Sequence, residues 1–151
     1  GASVIRGRGE KVASAPDWTA KLRDWRVALF NPGTPISTKN LYGEMAKRGA
    51  YTPAPEAEEA LEKACAALGR GRLDKVLRND LGTFLAETNL FYDTWSGILK
   101  QNGFAHFGIT GSGSGCFVLF REGAERLRDL VERWIDNHGF LIETTFGRTD
   151  D

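Results

Sequence analysis

The segment FAHFGITGSGSGCFVLF, residues 104–120, decides the fold, because two apolar stretches flank a run of small residues. β-Branched and aromatic residues predict strands at 105–109 and 116–120. The six residues between them, 110–115, include three glycines. Glycine adopts positive φ angles without steric cost and lets another backbone or a phosphate come close. The sequence therefore predicts a glycine-rich hairpin.

The hairpin loop supplies the first candidate binding residues, which are Thr110, Gly111, Ser112, Gly113 and Ser114. Consecutive free N–H groups in such a loop can form a concave site for an anion. A flexible loop without a ligand is the alternative reading of the same composition. Because a strand and not a helix follows the glycines, the loop does not fit a Walker A motif or a dinucleotide-binding fingerprint.

Length, charge and cysteine content restrict the class of protein. The chain has 151 residues, of which 41% are hydrophobic, enough for one globular domain. Lys plus Arg and Asp plus Glu number 20 each, so no net charge favours a nucleic acid or an anionic membrane as partner. No apolar run approaches a membrane span, and no signal-peptide core is found. Two cysteines and two histidines predict a reducing cytoplasm and no metal site.

A second candidate group lies where the apolar run RVALF, residues 26–30, ends in Asn-Pro-Gly. This turn signal is followed by Ser37 or Thr38, which predicts the N-cap of a helix. A strand end, a fixed turn and a helix start often come together at a ligand, although an ordinary strand–helix junction has the same pattern. The second group of candidate binding residues is Asn31, Pro32, Gly33, Ser37 and Thr38.

Helical periodicity predicts helices at 54–68, 83–101 and 122–137, and a last strand at 140–146. Asn79 and Asp80 are predicted to cap the second of these helices. Residues 1–25 are predicted to be a connector, with the tryptophans at 18 and 25 exposed, and residues 26–151 to be one domain. The order of elements predicts an α+β fold, an antiparallel sheet with helices packed on one face, as in ferredoxin-like folds.

Three stretches resemble the C-terminal domain of the GHMP small-molecule kinases. Residues 109–117, ITGSGSGCF, resemble the third motif of that superfamily, a glycine-rich loop between two strands. Residues 6–10, RGRGE, together with residues 28–38, ALFNPGTPIST, resemble the branch of the 4-diphosphocytidyl-2-C-methyl-D-erythritol kinases. Residues 79–81, before the long helix, match that pattern too, and the resemblance covers nearly the whole chain.

The resemblance implies ATP-dependent phosphorylation of a hydroxyl group, with Mg²⁺, in isoprenoid biosynthesis. In such kinases the phosphate loop and the catalytic aspartate and lysine belong to an N-terminal domain, and this sequence contains no PxxxGLGSSA-like motif. Residues 110–114 would therefore support the phosphate loop of that N-terminal GHMP domain, the expected partner. Asn31, Pro32, Gly33, Ser37 and Thr38 would line the substrate. No catalytic residue is expected in this chain, and the isolated chain is expected to be inactive.

Two other functions fit the same residues. A stand-alone α+β ligand-binding or regulatory module would use the glycine-rich hairpin to bind a small anion without turnover. A structural pairing domain would instead use an exposed apolar face to bind a partner. Binding of ATP–Mg²⁺ by the chain alone, compared with binding after the N-terminal half is added, discriminates these possibilities.

Overall fold

The computed structural model of the protein describes residues 3–7, 9–31, 33, 35–73, 76–135 and 140–145. The strands are β1 (Ser3–Arg6), β2 (Lys11–Ser14), β3 (Arg26–Asn31), β4 (His106–Ile109), β5 (Cys116–Phe120) and β6 (Phe140–Thr145). The helices are α1 (Pro16–Lys21), α2 (Thr38–Arg48), α3 (Ala54–Gly69), α4 (Asp80–Thr88), α5 (Leu90–Gln101) and α6 (Ala124–Glu132). In this part of the chain, no helix has the length and apolar character needed to cross a membrane.

Four strands form the main sheet in the order β4-β5-β3-β6, and every neighbouring pair is antiparallel. Arg26 of the central strand β3 pairs with Phe120 on one side and with Thr145 on the other. Helices α2 to α5 connect β3 to β4, and α6 connects β5 to β6. This β-α-β-β-α-β order is that of a split βαβ, ferredoxin-like sheet. The predicted α+β fold is confirmed.

The main core lies on one face of the sheet, because side chains alternate along each strand. Ala28 and Phe30 of β3 and Val118 of β5 point to this face and are almost completely buried. Helices α2, α4, α5 and α6 cover it, as predicted. They contribute the buried side chains Leu41, Met45, Phe84, Leu85, Tyr92, Trp95, Leu99, Leu127 and Val131.

A smaller cluster covers the opposite face of the sheet. Val27 and Leu119 pack there against Leu68 at the end of α3. Trp18 and Trp25 lie against the same cluster and are half-buried. The expectation that these tryptophans are exposed is wrong, because the apolar side chains on the second face of β3 and β5 require cover of their own.

The predicted helix 83–101 is two helices separated by Asn89. The backbone of Asn89 is extended, with φ −125° and ψ 109°. Its N–H donates to the carbonyl of Leu85 at 2.8 Å, while its Oδ1 accepts from the N–H of Phe91 at 3.0 Å. One asparagine therefore ends α4 and caps α5. Helix α6 is also shorter than predicted; residues 136–137 and 146, at the ends of predicted elements, lie outside the described residues.

Residues 3–21, predicted as part of a connector, contain a β1–β2 hairpin and the short helix α1. Ile5 and Val12 are cross-strand partners in this hairpin, and they are 60% and 63% exposed. Nε of Arg6 donates to the Glu58 carboxylate on α3 at 2.8 Å. That these residues connect to a preceding domain remains a prediction.

Candidate functional site

The glycine-rich loop between β4 and β5 is closed by its own backbone hydrogen bonds. The N–H of Thr110 donates to the carbonyl of Gly115 at 2.8 Å, and the N–H of Gly113 donates to the carbonyl of Thr110 at 2.9 Å. Gly111 and Gly113 have φ angles of 54° and 83°. Only glycine adopts such angles readily, so the sequence fixes these turns locally.

The tip of the loop contacts the start of α2. Ser37 is the N-cap of α2, and its Oγ accepts a hydrogen bond from the N–H of Asn40 at 3.3 Å. Thr38, the first residue of the helix, shares a hydrogen bond of 2.8 Å with Ser112 between Oγ1 and Oγ. The structure therefore brings residues from both predicted groups together, and the side chains of Ser37 and Thr38 remain exposed.

Asn31, the last residue of β3, holds the other side of the loop. Its Oδ1 accepts from Oγ of Ser114 at 3.1 Å and from the N–H of Gly33 at 2.9 Å. The loop and the turn after the strand thus bind the same carbonyl oxygen. Pro32, the remaining predicted residue of this group, lies outside the described residues.

Asn79 has two roles, of which the sequence predicted only one. It caps a helix, as predicted, and it also binds the glycine-rich loop. Its Oδ1 accepts from the N–H of Leu81 at 3.1 Å, which is the expected cap of α4. Its Nδ2 also donates to the carbonyl of Gly111 at 2.8 Å and to that of Ile109 at 3.3 Å. Both ends of one amide are used, so the start of α4 and the glycine-rich loop are fixed relative to each other.

The floor of the loop is apolar and tightly packed. A Cβ on Gly113 would lie 2.8 Å from Cδ1 of Ile36 and 3.3 Å from Oη of Tyr92. The carbonyl of Ser114 accepts from Oη of Tyr92 at 3.4 Å and from Sγ of Cys116 at 3.3 Å. Burial raises the pKa of the Cys116 thiol to about 12 and raises the pKa of Tyr92 as well. Both groups are therefore neutral hydrogen-bond donors at physiological pH.

Asp80 is held in a structural network beside the site. Its Oδ2 accepts from the N–H of Thr52 at 2.9 Å, and its Oδ1 accepts from Nε of Arg78 at 3.4 Å. Partial burial opposes ionisation, but these hydrogen bonds and the Arg78 charge outweigh it and hold the pKa of Asp80 below its usual value. An ionised carboxylate that accepts these two hydrogen bonds is a poor proton acceptor. The predicted capping role of Asp80 is not observed, because Asn79 is the N-cap of α4 and the Asp80 carboxylate accepts instead from Thr52 and Arg78.

Two cavities lie beside Asn79, and neither is lined by a residue of the loop 110–115. One of about 460 Å³ lies between α2 and α3, and one of about 600 Å³ lies between β4 and helices α4 and α5. Asn79 lines both cavities, together with Val76 and Arg78. Within the described residues no group of three or more His, Cys, Asp and Glu side chains could hold a metal ion. The loop and its neighbours offer hydroxyl and amide groups, which suits them to binding and positioning an anion.

The chain is therefore an α+β domain in which a glycine-rich loop is held against the start of a helix. No protein-family model matches the chain. It is similar to the 4-diphosphocytidyl-2-C-methyl-D-erythritol kinase of Mesorhizobium japonicum, with 29% identity over 129 residues. The alignment covers 85% of this chain and 41% of that kinase, so the chain spans less than half the length of the curated relative that it matches.

Proposed function

We propose that this chain is the C-terminal, substrate-side part of an ATP-dependent small-molecule kinase of the GHMP type. The observation that carries the proposal is the contact between two distant stretches. Thr38 and Ser112 share a hydrogen bond, as do Asn31 and Ser114. The motif resemblance assigned these two stretches to one site, and their contact supports that assignment. The sequence similarity to a curated kinase also supports the proposal.

The proposed substrate is 4-diphosphocytidyl-2-C-methyl-D-erythritol, the compound in the name of the Mesorhizobium relative. In this proposal the loop around Ser112 donates hydrogen bonds toward the phosphate side, while Ser37 and Thr38 face the substrate. Phosphoryl transfer depends mainly on positioning and on charge stabilisation around the phosphates. Hydroxyl and N–H donors supply positioning, so the proposed contribution of this chain is orientation and not proton transfer.

ATP and Mg²⁺ would be bound mainly by a second, N-terminal half of the kinase. The described residues do not fit a metal site, since they contain no suitable cluster of ligands. Magnesium, when bound, would neutralise charge on the transferred phosphate. The exposed pair Ile5 and Val12 on the β1–β2 hairpin supports a partner of this kind, because paired exposed β-branched residues favour burial at an interface.

The test is a chimaeric kinase, in which this chain replaces the matching segment of the Mesorhizobium enzyme. Phosphorylation of 4-diphosphocytidyl-2-C-methyl-D-erythritol by ATP–Mg²⁺ is then measured for the chimaera and for the 151-residue chain alone. We expect activity from the chimaera and none from the chain alone. Turnover of other small alcohols at the same rate would contradict the proposed substrate, and a folded but inactive chimaera would contradict the proposed class.

A pair of variants separates the site from general stability. Ser112→Ala removes the hydroxyl that contacts Thr38 and should lower kcat/KM of the chimaera about tenfold, the order expected for losing one hydrogen bond that positions a charged substrate. Thr94→Ala is the matched control, since Thr94 is exposed on α5 and its Oγ1 donates only locally, to the carbonyl of Leu90 at 2.7 Å. Equal losses in the two variants would mean that the loop hydroxyl has no special role.

A second candidate function is a stand-alone module that binds a small anion. One observation favours it: the side chains that fix the glycine-rich loop, Asn31, Asn79 and Tyr92, belong to this chain itself. A loop that is ordered without a partner can bind without one. Tight binding of ATP by the chain alone, unchanged in the chimaera, would favour this module over the kinase.

A further inference from the structure

A second cluster of charged and aromatic side chains lies at the far end of the β4–β5 hairpin from the glycine-rich loop. It lines an open cleft of about 890 Å³ where β4 begins, β5 ends and α6 begins. Strands rise about 3.3 Å per residue, so these four- and five-residue strands separate the cleft from the loop by about 15 Å. The cleft is therefore distinct from the candidate site described above.

Two arginines line the cleft, and each lies over an aromatic ring. The guanidinium carbon of Arg121 is 4.7 Å from the centroid of the Trp25 ring, and that of Arg126 is 5.3 Å from the centroid of Phe104. The edge of Trp25 also contacts the His106 ring, at 5.0 Å between centroids. Stacking restricts each guanidinium while leaving its in-plane N–H donors free.

Several arginines elsewhere in the domain already hold a carboxylate. Arg26 and Arg128 both bind Glu143, at 2.7 and 3.1 Å. By contrast, among the described residues neither Arg121 nor Arg126 has a carboxylate within ion-pair distance, although both are exposed. These two cations are fixed by rings and have no acidic partner in that part of the chain.

We propose that this cleft binds the phosphate group of a small phosphorylated anion between Arg121 and Arg126. Guanidinium groups bind phosphate oxygens through two parallel N–H donors, and the aromatic rings lower the entropy lost on binding. Glu122 and Glu125 also line the cleft. Their charges repel any anion, and more strongly the greater its charge. Binding therefore depends on oxygens that accept directly from the in-plane N–H donors of both arginines.

Inorganic pyrophosphate is the probe, titrated into the 151-residue chain at 0.1–0.2 M salt, about physiological ionic strength, while backbone amide shifts are followed by NMR. We expect saturable shifts at residues 121–126 and 103–106. Arg121→Ala and Arg126→Ala should each raise Kd about tenfold or more. Arg70→Ala is the matched control, because it removes the same charge from an exposed turn after α3 that does not line the cleft.

Two further variants keep the test decisive if an alanine variant is unstable. Arg126→Lys keeps the charge but loses the two-donor geometry, and it should weaken binding severalfold. Glu122→Gln removes an opposing charge and should tighten binding severalfold. Three results would overturn the proposal. They are shifts confined to residues 110–114, an equal loss of affinity in Arg70→Ala and Arg121→Ala, and the absence of saturable binding. Shifts at 110–114 would at the same time support the glycine-rich loop as the anion site.

Discussion

The molecule contains two glycine-rich hairpins with similar turns and very different surroundings. In the β1–β2 turn, Gly7 and Gly9 have φ angles of 67° and 104°, and in the β4–β5 loop Gly111 and Gly113 have φ angles of 54° and 83°. Most residues of the first hairpin are exposed, and an exposed ion pair connects it to α3. The second is held by side chains from β3, α2, α5 and the cap of α4.

Glycine content therefore sets the local turn, whereas tertiary contacts set how firmly the turn is held. Both stretches are rich in glycine, and both adopt positive φ angles. Only tertiary packing makes Gly113 sterically irreplaceable, because Ile36 and Tyr92 fill the space where a side chain would go. Gly9 has no atom within 4 Å of the same position, so its constraint is conformational alone.

Alanine at these two glycines should give the largest contrast. Gly113→Ala combines a left-handed backbone with overlap on Ile36 and should lower the free energy of unfolding by about 2–4 kcal/mol. Gly9→Ala meets only the backbone penalty, and its effect should be smaller and confined to the β1–β2 hairpin. Urea unfolding measures the first effect, and hydrogen exchange of β1 and β2 measures the second. Equal losses of global stability would show that the two loops are equally coupled to the core.

Alkaline pH should act on the second hairpin. The Cys116 thiol has a pKa raised by burial to about 12, whereas an unfolded thiol ionises at about 8.5–9. Between these values the unfolded state loses a proton that the folded state keeps. The stabilisation is therefore complete below about pH 8.5 and is lost as the pH rises toward 12, by up to about 1.4 kcal/mol per pH unit. The raised pKa of Tyr92 adds a loss in the same direction.

Cys116→Ala tests the origin of this loss. The variant should begin about 1 kcal/mol less stable because of the cavity, but its stability should fall less steeply above about pH 9. Thermal unfolding between about pH 7 and pH 10.5, which spans the ionisation of an unfolded thiol, measures the slope. Cys65→Ala, measured in parallel, controls for removal of a thiol. An unchanged slope in Cys116→Ala would assign the alkaline loss to other groups.

Asn79 variants should separate helix capping from loop holding. Asn79→Ala loses both the helix cap and the contact with the loop. It should lower the free energy of unfolding by about 1–2 kcal/mol. Asn79→Asp keeps an acceptor for the N–H of Leu81 but places a carboxylate oxygen against the carbonyls of Ile109 and Gly111. The cap should therefore be retained while the loop amides exchange faster. If exchange at residues 111–113 is the same in the Asn79→Asp variant and in the parent, the amide does not hold the loop.

The smallest effect is expected at the ion pair of the first hairpin. Arg6 and Glu58 are both well exposed, so Glu58→Gln should leave the melting temperature unchanged. Exchange of β1 and β2 amides should nevertheless rise in the variant, and in the parent it should rise with salt, because exposed charges are screened. A fall of several degrees in melting temperature would show that the first hairpin is part of the cooperative core.

Much of the fold followed from local patterns. The strand at 116–120 was predicted with its observed bounds, and the helix after Ser37 begins at the predicted cap, because β-strand propensity and capping chemistry act over a few residues. The break at Asn89 was missed, since the apolar spacing continues across it. The helical periodicity of the apolar side chains does not show where one residue leaves the helical conformation and becomes extended.

The candidate site could be predicted in part. The glycine-rich loop and the residues after β3 carry recognisable turn and cap signals, and the fold brings them into contact. Whether they bind a ligand remains a prediction. The second role of Asn79 could not be predicted, because its partners Ile109 and Gly111 lie 30 and 32 residues away, and nothing local distinguishes a cap that also holds a distant loop.

The central position of β3 has a consequence for how the protein folds. This strand comes first among the four of the main sheet, yet its two neighbours are β5 and β6, which come last. Helices α2 to α5 can begin to form early, but β3 finds no strand partner until residue 116 and beyond are available. Such long-range pairing predicts slower folding than in a domain built from local contacts. It also predicts a nascent chain that depends on its helices for protection from aggregation until residues 116–145 have been synthesised.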